Sequence, residues 1–270
     1  MRTIVHLSDL HFGRVDPALL DPLVAVVAAA KPDVVAVSGD LTQRARTRQF
    51  QEARAFLDRL PHPQIVVPGN HDVPLYDVVR RFAAPLRRYT RIITNDLSPM
   101  FRDDQIAVIG LNTARSLTFK GGRINLDQVG LVERHFAGLD DTILRVVVTH
   151  HPFDLPDHVD ESDLIGRATM AMQAFADSGV DLLLSGHLHH AHAGDTGSRY
   201  EISGFAALVV QAGTATSTRS RGESNAFNVI RAGTARIEVD VRSWEPERSE
   251  FTLLRTDVFE RRADRWSRAG

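Results

Sequence analysis

The chain predicts an α/β fold with a largely parallel sheet first and an antiparallel section after it. Strand-like and helix-like segments alternate through the first two-thirds. The strand segments are short, continuously apolar runs, as expected of strands buried on both faces. Beyond Tyr200 the helical segments stop, and short alternating runs take over.

Thr3 to Ser8 reads as the first strand, ending at Asp9. Asp16-Pro17 pairs an N-cap with an N1 proline and opens a helix to about Ala30. Lys31-Pro32-Asp33 breaks it, and Val34 to Ser38 is a second strand that stops at Gly39-Asp40. A helix from about Arg48 to Leu60 carries Phe50, Ala53, Phe56, Leu57 and Leu60 on one face. Ile65 to Val67 is a third strand, closed by Pro68-Gly69. Ile106 to Leu111 and Leu144 to Thr149 are further strands, separated by a helix from about Leu126 to Ala137. A helix of about Arg167 to Asp177, ended by Gly179, leads into a strand at Leu182 to Ser185. The runs Ala207–Gln211, Ala226–Arg231, Ala235–Trp244 and Asp257–Trp266 are expected to form the antiparallel sheet.

At 270 residues, with 43% hydrophobic and 24% charged residues and no linker or repeat, one large domain over residues 1–270 is expected. No apolar run approaches the roughly 20 residues of a membrane helix. The start enters a strand at once, leaving no room for a signal peptide, so the expected location is cytoplasmic. The absence of cysteine excludes disulfides and thiolate metal sites. A net charge of −2 lacks the basic footprint of a general nucleic-acid binder, so no nucleic-acid partner is expected. All but Lys31 and Lys120 of the 32 basic residues are arginine.

Five polar motifs follow the strand segments: Asp9-Leu10-His11, Gly39-Asp40, Gly69-Asn70-His71-Asp72, His150-His151-Pro152 and Gly186-His187-Leu188-His189. Ligands of parallel sheets collect at the carboxyl ends of the strands, where all five fall. Carboxylates, one amide and several imidazoles exceed the needs of one cation and suit two, a pairing fitted to phosphate-ester hydrolysis. Asp9 and His11 alternate about Leu10, so both could point to one side of an extended chain end, and His187 and His189 repeat the pattern. Taken alone, Asp-x-His and Gly-Asp also make ordinary turns. The Gly69–Asp72 tetrad is the most specific, because three adjacent polar side chains exceed what a tight turn requires. Either His150 or His151 could face a metal, and His190 and His192 offer a competing pair at the same spacing as His187 and His189.

The order and spacing of these motifs resemble the calcineurin-like metallophosphoesterase superfamily, from about Thr3 to Ala215. The resemblance implies a four-layer α/β/β/α sandwich, two mixed sheets flanked by helices, which absorbs the late antiparallel section at about 200–270. It implies two divalent ions, of manganese, iron or zinc. The first would be held by Asp9, His11, Asp40 and His189, and the second by Asp40, Asn70, His150 and His187, with Asp40 bridging. The glycine-led register selects His187 and His189 over His190 and His192, and His151 becomes pocket wall. A hydroxide between the ions is the implied nucleophile. His71 would lie beside the phosphate to stabilise charge or protonate the leaving oxygen, with Asp72 orienting its imidazole and raising its pKa.

The motifs look most like the bacterial branch with class III cyclic-nucleotide phosphodiesterases and glycerophosphodiesterases. A small phosphodiester such as a 3',5'-cyclic nucleotide is therefore the expected substrate. Only some 35 residues separate the fourth and fifth motifs, too few for a lid domain. The stretch Thr42-Gln43-Arg44-Ala45-Arg46 departs from the branch by carrying arginines. A phosphomonoesterase or a nucleotide or lipid pyrophosphohydrolase would share every ligand. A non-catalytic scaffold is disfavoured, because His71 and the full ligand set are present. Arg44, Arg46, Arg115 and Arg123 lie in loops near the motifs and could touch a phosphate. His6 reads as a hydrogen-bonded core residue, His62, His135 and His158 as loop or surface positions, and Trp244 and Trp266 as packing. A late edge strand could mediate a homodimer.

Overall fold

The continuous apolar runs become strands buried on both faces. In the computed structural model, which describes residues 1–118, 120–156, 159–218, 224–263 and 265–269, they begin with β1 (Arg2–Leu7) and β2 (Val34–Ser38). Between them Asp16 caps a short 3-10 turn that runs into α1 (Leu20–Ala29). Next come α2 (Thr47–Leu57) and β3 (Gln64–Val67). Two short helices, α3 (Val78–Ala83) and α4 (Arg87–Ile92), and an edge strand β4 (Met100–Arg102) follow. The chain continues through β5 (Ile106–Gly110), α5 (Leu126–Phe136), β6 (Leu144–Val148), α6 (Ala168–Asp177) and β7 (Leu182–Ser185). It ends with β8 (His192–Asp195), β9 (Leu208–Gln211), β10 (Ala226–Ala232), β11 (Arg236–Glu245), β12 (Glu250–Arg262) and β13 (Arg265–Arg268). His158 lies outside the described residues.

Among the described residues these strands form two mixed sheets. One runs β13-β12-β11-β10-β1-β2-β3, parallel across β1 to β3 and antiparallel from β1 outward through β10. The other runs β4-β5-β6-β7-β9-β8, parallel from β5 to β9 with antiparallel edges.

Side-chain alternation distributes each strand between two cores. Ile4, Val34 and Ala36 face Val146, Leu182 and Leu184 in a core between the sheets. Val5, Leu7, Val35 and Val37 point the other way, onto Leu23 and Val27 of α1 and Phe50 and Phe56 of α2. On the far side, Val147 and Leu183 pack against Val132 of α5 and Phe175 of α6. The result is the expected four layers, helix–sheet–sheet–helix.

Two expectations are corrected. The run at Ala207–Gln211 is β9, which lies parallel to β7 in the second sheet rather than in the late antiparallel section. The run at Asp257–Trp266 crosses from β12 into β13, which pair antiparallel. Trp266 is buried in the intersheet core, where its indole N–H donates to Asp181, so the packing role holds.

Candidate metal centre

All five motifs leave the carboxyl ends of neighbouring strands: β1, β2 and β3 in one sheet, β6 and β7 in the other. Face-to-face packing of the sheets therefore brings them together. Asp9, His11, Asp40, His150, His187 and His189 are all buried, and so is Asp72. Their donor atoms form overlapping groups: Asp9, His11 and His189; Asp9, Asp40 and His150; His11, Asp40 and His71; and His150, His151 and His187.

Convergence is achieved by turn backbone, which corrects the expected extended alternation. Asp9 (φ 53°), His11 (φ 51°), Asp40 (φ 52°), His187 (φ 75°) and His189 (φ 64°) all occupy the left-handed region. That region is disfavoured for residues other than glycine and recurs at functional sites. Gly186 allows the tightest approach. A Cβ there would collide with Ser8 Oγ and reach within 2.7 Å of Asp9 Oδ2.

Asp40 stands at the middle. Its Oδ2 lies 3.8 Å from His11 Nε2, and its Oδ1 lies 3.4 Å from His150 Nε2. Each oxygen thus faces a different group of donors. On the first side, Asp9 Oδ1 is 3.4 Å from His11 Nε2 and 3.8 Å from His189 Nε2. On the second, Asn70 Oδ1 is 3.0 Å from His150 Nε2 and 3.2 Å from His187 Nδ1.

The donors fit cations. Asp9 Oδ1 is buried and accepts no hydrogen bond, although Oδ2 is satisfied by Ser8 Oγ and the His187 amide. Leaving a buried carboxylate oxygen unbonded is costly unless a positive charge faces it. Burial pushes the Asp9 carboxyl up, but His189, His11 and His150 outweigh it and hold it well below the usual range. Asp40 is likewise lowered, by His150, His71 and His11 against the effect of burial.

Outer partners fix the imidazoles, as around metals generally. His150 Nδ1 donates to the Ser38 carbonyl at 2.7 Å, which leaves Nε2 as the electron-pair donor. His189 Nδ1 bonds Thr214 Oγ1, and His187 Nε2 lies 3.4 Å from Asp163 Oδ1. His151 differs. Its Nε2 donates to the Lys120 carbonyl and its Nδ1 pairs with Thr113 Oγ1, both at 2.8 Å. Burial, then the neighbouring His150 and His187, lower its pKa well below the usual value. A neutral ring with both nitrogens engaged has no lone pair left for a metal, so proximity alone explains its place in a donor group. His190 and His192 belong to none of the groups found among the described residues.

His71 and Asp72 do not pair as expected. Asp72 accepts from the Leu41, Thr42 and Gly69 amides and the Thr42 hydroxyl, at 2.9–3.1 Å. Burial and then Asp40 push its carboxyl up to about 6 despite these bonds. The imidazole of His71 instead donates from Nδ1 to the Gln43 carbonyl at 3.0 Å, turning Nε2 to within 4.0 Å of Asp40 Oδ2. Asp72 therefore locks the two turns together, and Gln43 orients the ring. Of the four arginines singled out, Arg44 reaches the site, with Nη1 3.5 Å from His71 Nδ1. Arg115 is bonded to Asn112, Ala114 and Gln128.

Sequence reasoning missed Ser38, Gln43, Thr113, Asp163 and Thr214. Each is a single polar residue outside the motifs, and a lone residue carries no periodic signal. Ser38, which ends the second strand segment, and Thr113, two residues beyond the segment ending at Leu111, sit where a site residue could be sought.

The family model for calcineurin-like phosphoesterases matches residues 2–191. A probable glycerophosphodiester phosphodiesterase of Arcobacter nitrofigilis is 27% identical over 162 residues, covering 59% of this chain and 57% of that protein. A probable cyclic nucleotide phosphodiesterase of Synechococcus sp. is 27% identical over 205 residues, covering 70% and 74%. The chain thus spans little more than half the length of the first of these. A purple acid phosphatase from yellow lupin seeds shares the fold at 12% identity and a TM-score of 0.73, over 96% of this chain and 54% of that one. Family match, layered fold and converging donors agree: the chain belongs to the calcineurin-like phosphoesterase family.

Proposed function

We propose that the chain is a dinuclear metal-dependent phosphodiesterase, acting on a small phosphodiester such as a 3',5'-cyclic nucleotide. The observation that carries this reading is Asp40, whose two oxygens face separate donor groups. Asp9, His11, Asp40 and His189 would hold one ion, and Asp40, Asn70, His150 and His187 the other. The mixed oxygen and imidazole set suits manganese, iron or zinc. Bound there, the cations would lower the pKa of an attacking water and neutralise phosphate charge.

His71 is the protein's own contribution to the reaction. Its side chain is 20% exposed, whereas those of His11 and His150 are fully buried, so it is the imidazole that meets substrate. With Nδ1 held by Gln43, Nε2 would give a proton to the leaving oxygen. The names of both curated relatives support a diester over a monoester. The test is hydrolysis of bis(p-nitrophenyl) phosphate against p-nitrophenyl phosphate, after loading with each metal. Faster cleavage of the diester supports the reading; inertness with manganese, iron and zinc alike overturns it.

A further inference from the structure

Ten large apolar side chains stand exposed among the described residues, and half of them gather beside the metal centre. Tyr76 (77% exposed), Val78, Val79 (78%) and Phe82 fall within seven consecutive residues, just after the motif carrying His71. Within α3, Val78, Val79 and Phe82 span one arc of the helix. The buried Arg81 beneath them donates to the carbonyls of Pro74, Ser116 and Thr118. That clamp brings in Leu117, itself 83% exposed. Tyr76 links the patch to the catalytic side: the Arg44 guanidinium lies 5.6 Å from its ring centroid and 3.5 Å from His71 Nδ1.

The charge around the patch is mostly of one sign, Asp77, which pairs with Arg80 at 2.6 Å, being the acid within it. From Val78 to Asn95 the chain carries Arg80, Arg81, Arg87, Arg88 and Arg91 and no acidic residue. From Leu41 to Gln51 it carries Arg44, Arg46 and Arg48, again with no acid. Arg46, Arg48, Arg80, Arg87 and Arg91 are exposed. The chain as a whole is slightly acidic, so this is a local concentration. A contiguous exposed apolar patch marks an interaction surface. Apolar side chains ringed by arginine suit an anionic bilayer: the former enter the headgroup boundary while the latter meet lipid phosphates.

We propose that this face docks the protein peripherally on an anionic phospholipid surface, holding the metal centre against phosphodiesters presented there. The docking is independent of the chemistry, but the second clause rests on the phosphodiesterase reading above. Arginine at 44 to 48 then attracts the surface, and the patch around Phe82 gives grip.

The metal-loaded protein would be co-sedimented with vesicles of phosphatidylcholine, with and without phosphatidylglycerol. Binding is expected only with the anionic lipid and should weaken with added salt. The double variant Val79→Asp, Phe82→Asp should need about tenfold more lipid for half-maximal binding, roughly one power of ten per 1.4 kcal/mol. Hydrolysis of soluble bis(p-nitrophenyl) phosphate should be unchanged in that variant. Arg87→Glu should reduce the preference for anionic over neutral vesicles. No binding to any vesicle, or equal binding by the double variant, overturns the proposal. A dimer that dissociates in the double variant without vesicle binding also overturns it, and assigns the face to a second copy. Diester hydrolysis without docking would sink this inference alone, and docking without hydrolysis would sink only the phosphodiesterase reading.

Discussion

Five of the seven proposed metal donors stand on left-handed backbone, a cost of about 1 kcal/mol or more each. Residue type hints at that conformation only weakly: aspartate and histidine are enriched there, yet most of them stand on other backbone. The proposed donors follow from the family resemblance of the motifs; their convergence by turns was not legible in the sequence. The same holds for Asp72, where adjacency to His71 suggested a pair that the hydrogen bonds do not make. His71→Ala should retain its metals while kcat falls by about 100-fold or more, since only proton donation and charge stabilisation are removed. Metal analysis and steady-state kinetics on one preparation check this, and metal loss would reassign His71 as a ligand. Gly186→Ala should be severe for its size, because the added methyl meets Ser8 and Asp9. It is expected to cost about 1–3 kcal/mol of stability and to weaken metal retention, read by thermal melts with and without manganese.

Strands β1, β2, β3, β6 and β7 were readable as elements because burial on both faces leaves unbroken apolar runs. β4 and β8 were not, being edge strands whose residues, Met-Phe-Arg and His-Ala-Gly-Asp, make no unbroken apolar run. α3 and α4 have six residues each, less than two turns, too few for a helical period to show. β9 was read as a strand and placed in the late antiparallel sheet, since its sequence does not say which sheet receives it. Between elements, Asp72 joins the turn after β2 to the turn after β3 through Leu41, Thr42 and Gly69. Asp72→Ala would leave those buried amides unsatisfied, costing about 3 kcal/mol or more. A lowered urea midpoint in the metal-free protein would check it; an unchanged midpoint would show the turns hold without that carboxylate.

For the whole molecule, the two sheets bring the candidate metal centre together at the carboxyl ends of their strands, and the late strands extend the first sheet with a ladder of ion pairs. Burial pushes Asp240 up, but bonds from Arg231 and Thr256 outweigh it and lower its pKa. Asp257 is lowered in the same way by Arg268 and Arg255. A carboxylate depressed in the folded state adds stability that is present above its unfolded pKa and lost as pH falls through the folded value. The melting temperature should therefore drop below about pH 4, and less steeply in Asp257→Asn than in the parent. An equal slope would remove these pairs from the acid response. Among the described residues no helix is long and apolar enough to cross a membrane. The most direct test of the shared carboxylate is an anomalous difference map from a manganese-soaked crystal. Expected are two peaks about 4 Å or less apart, one on each side of Asp40. A single peak, or two that do not share Asp40, would contradict the dinuclear centre.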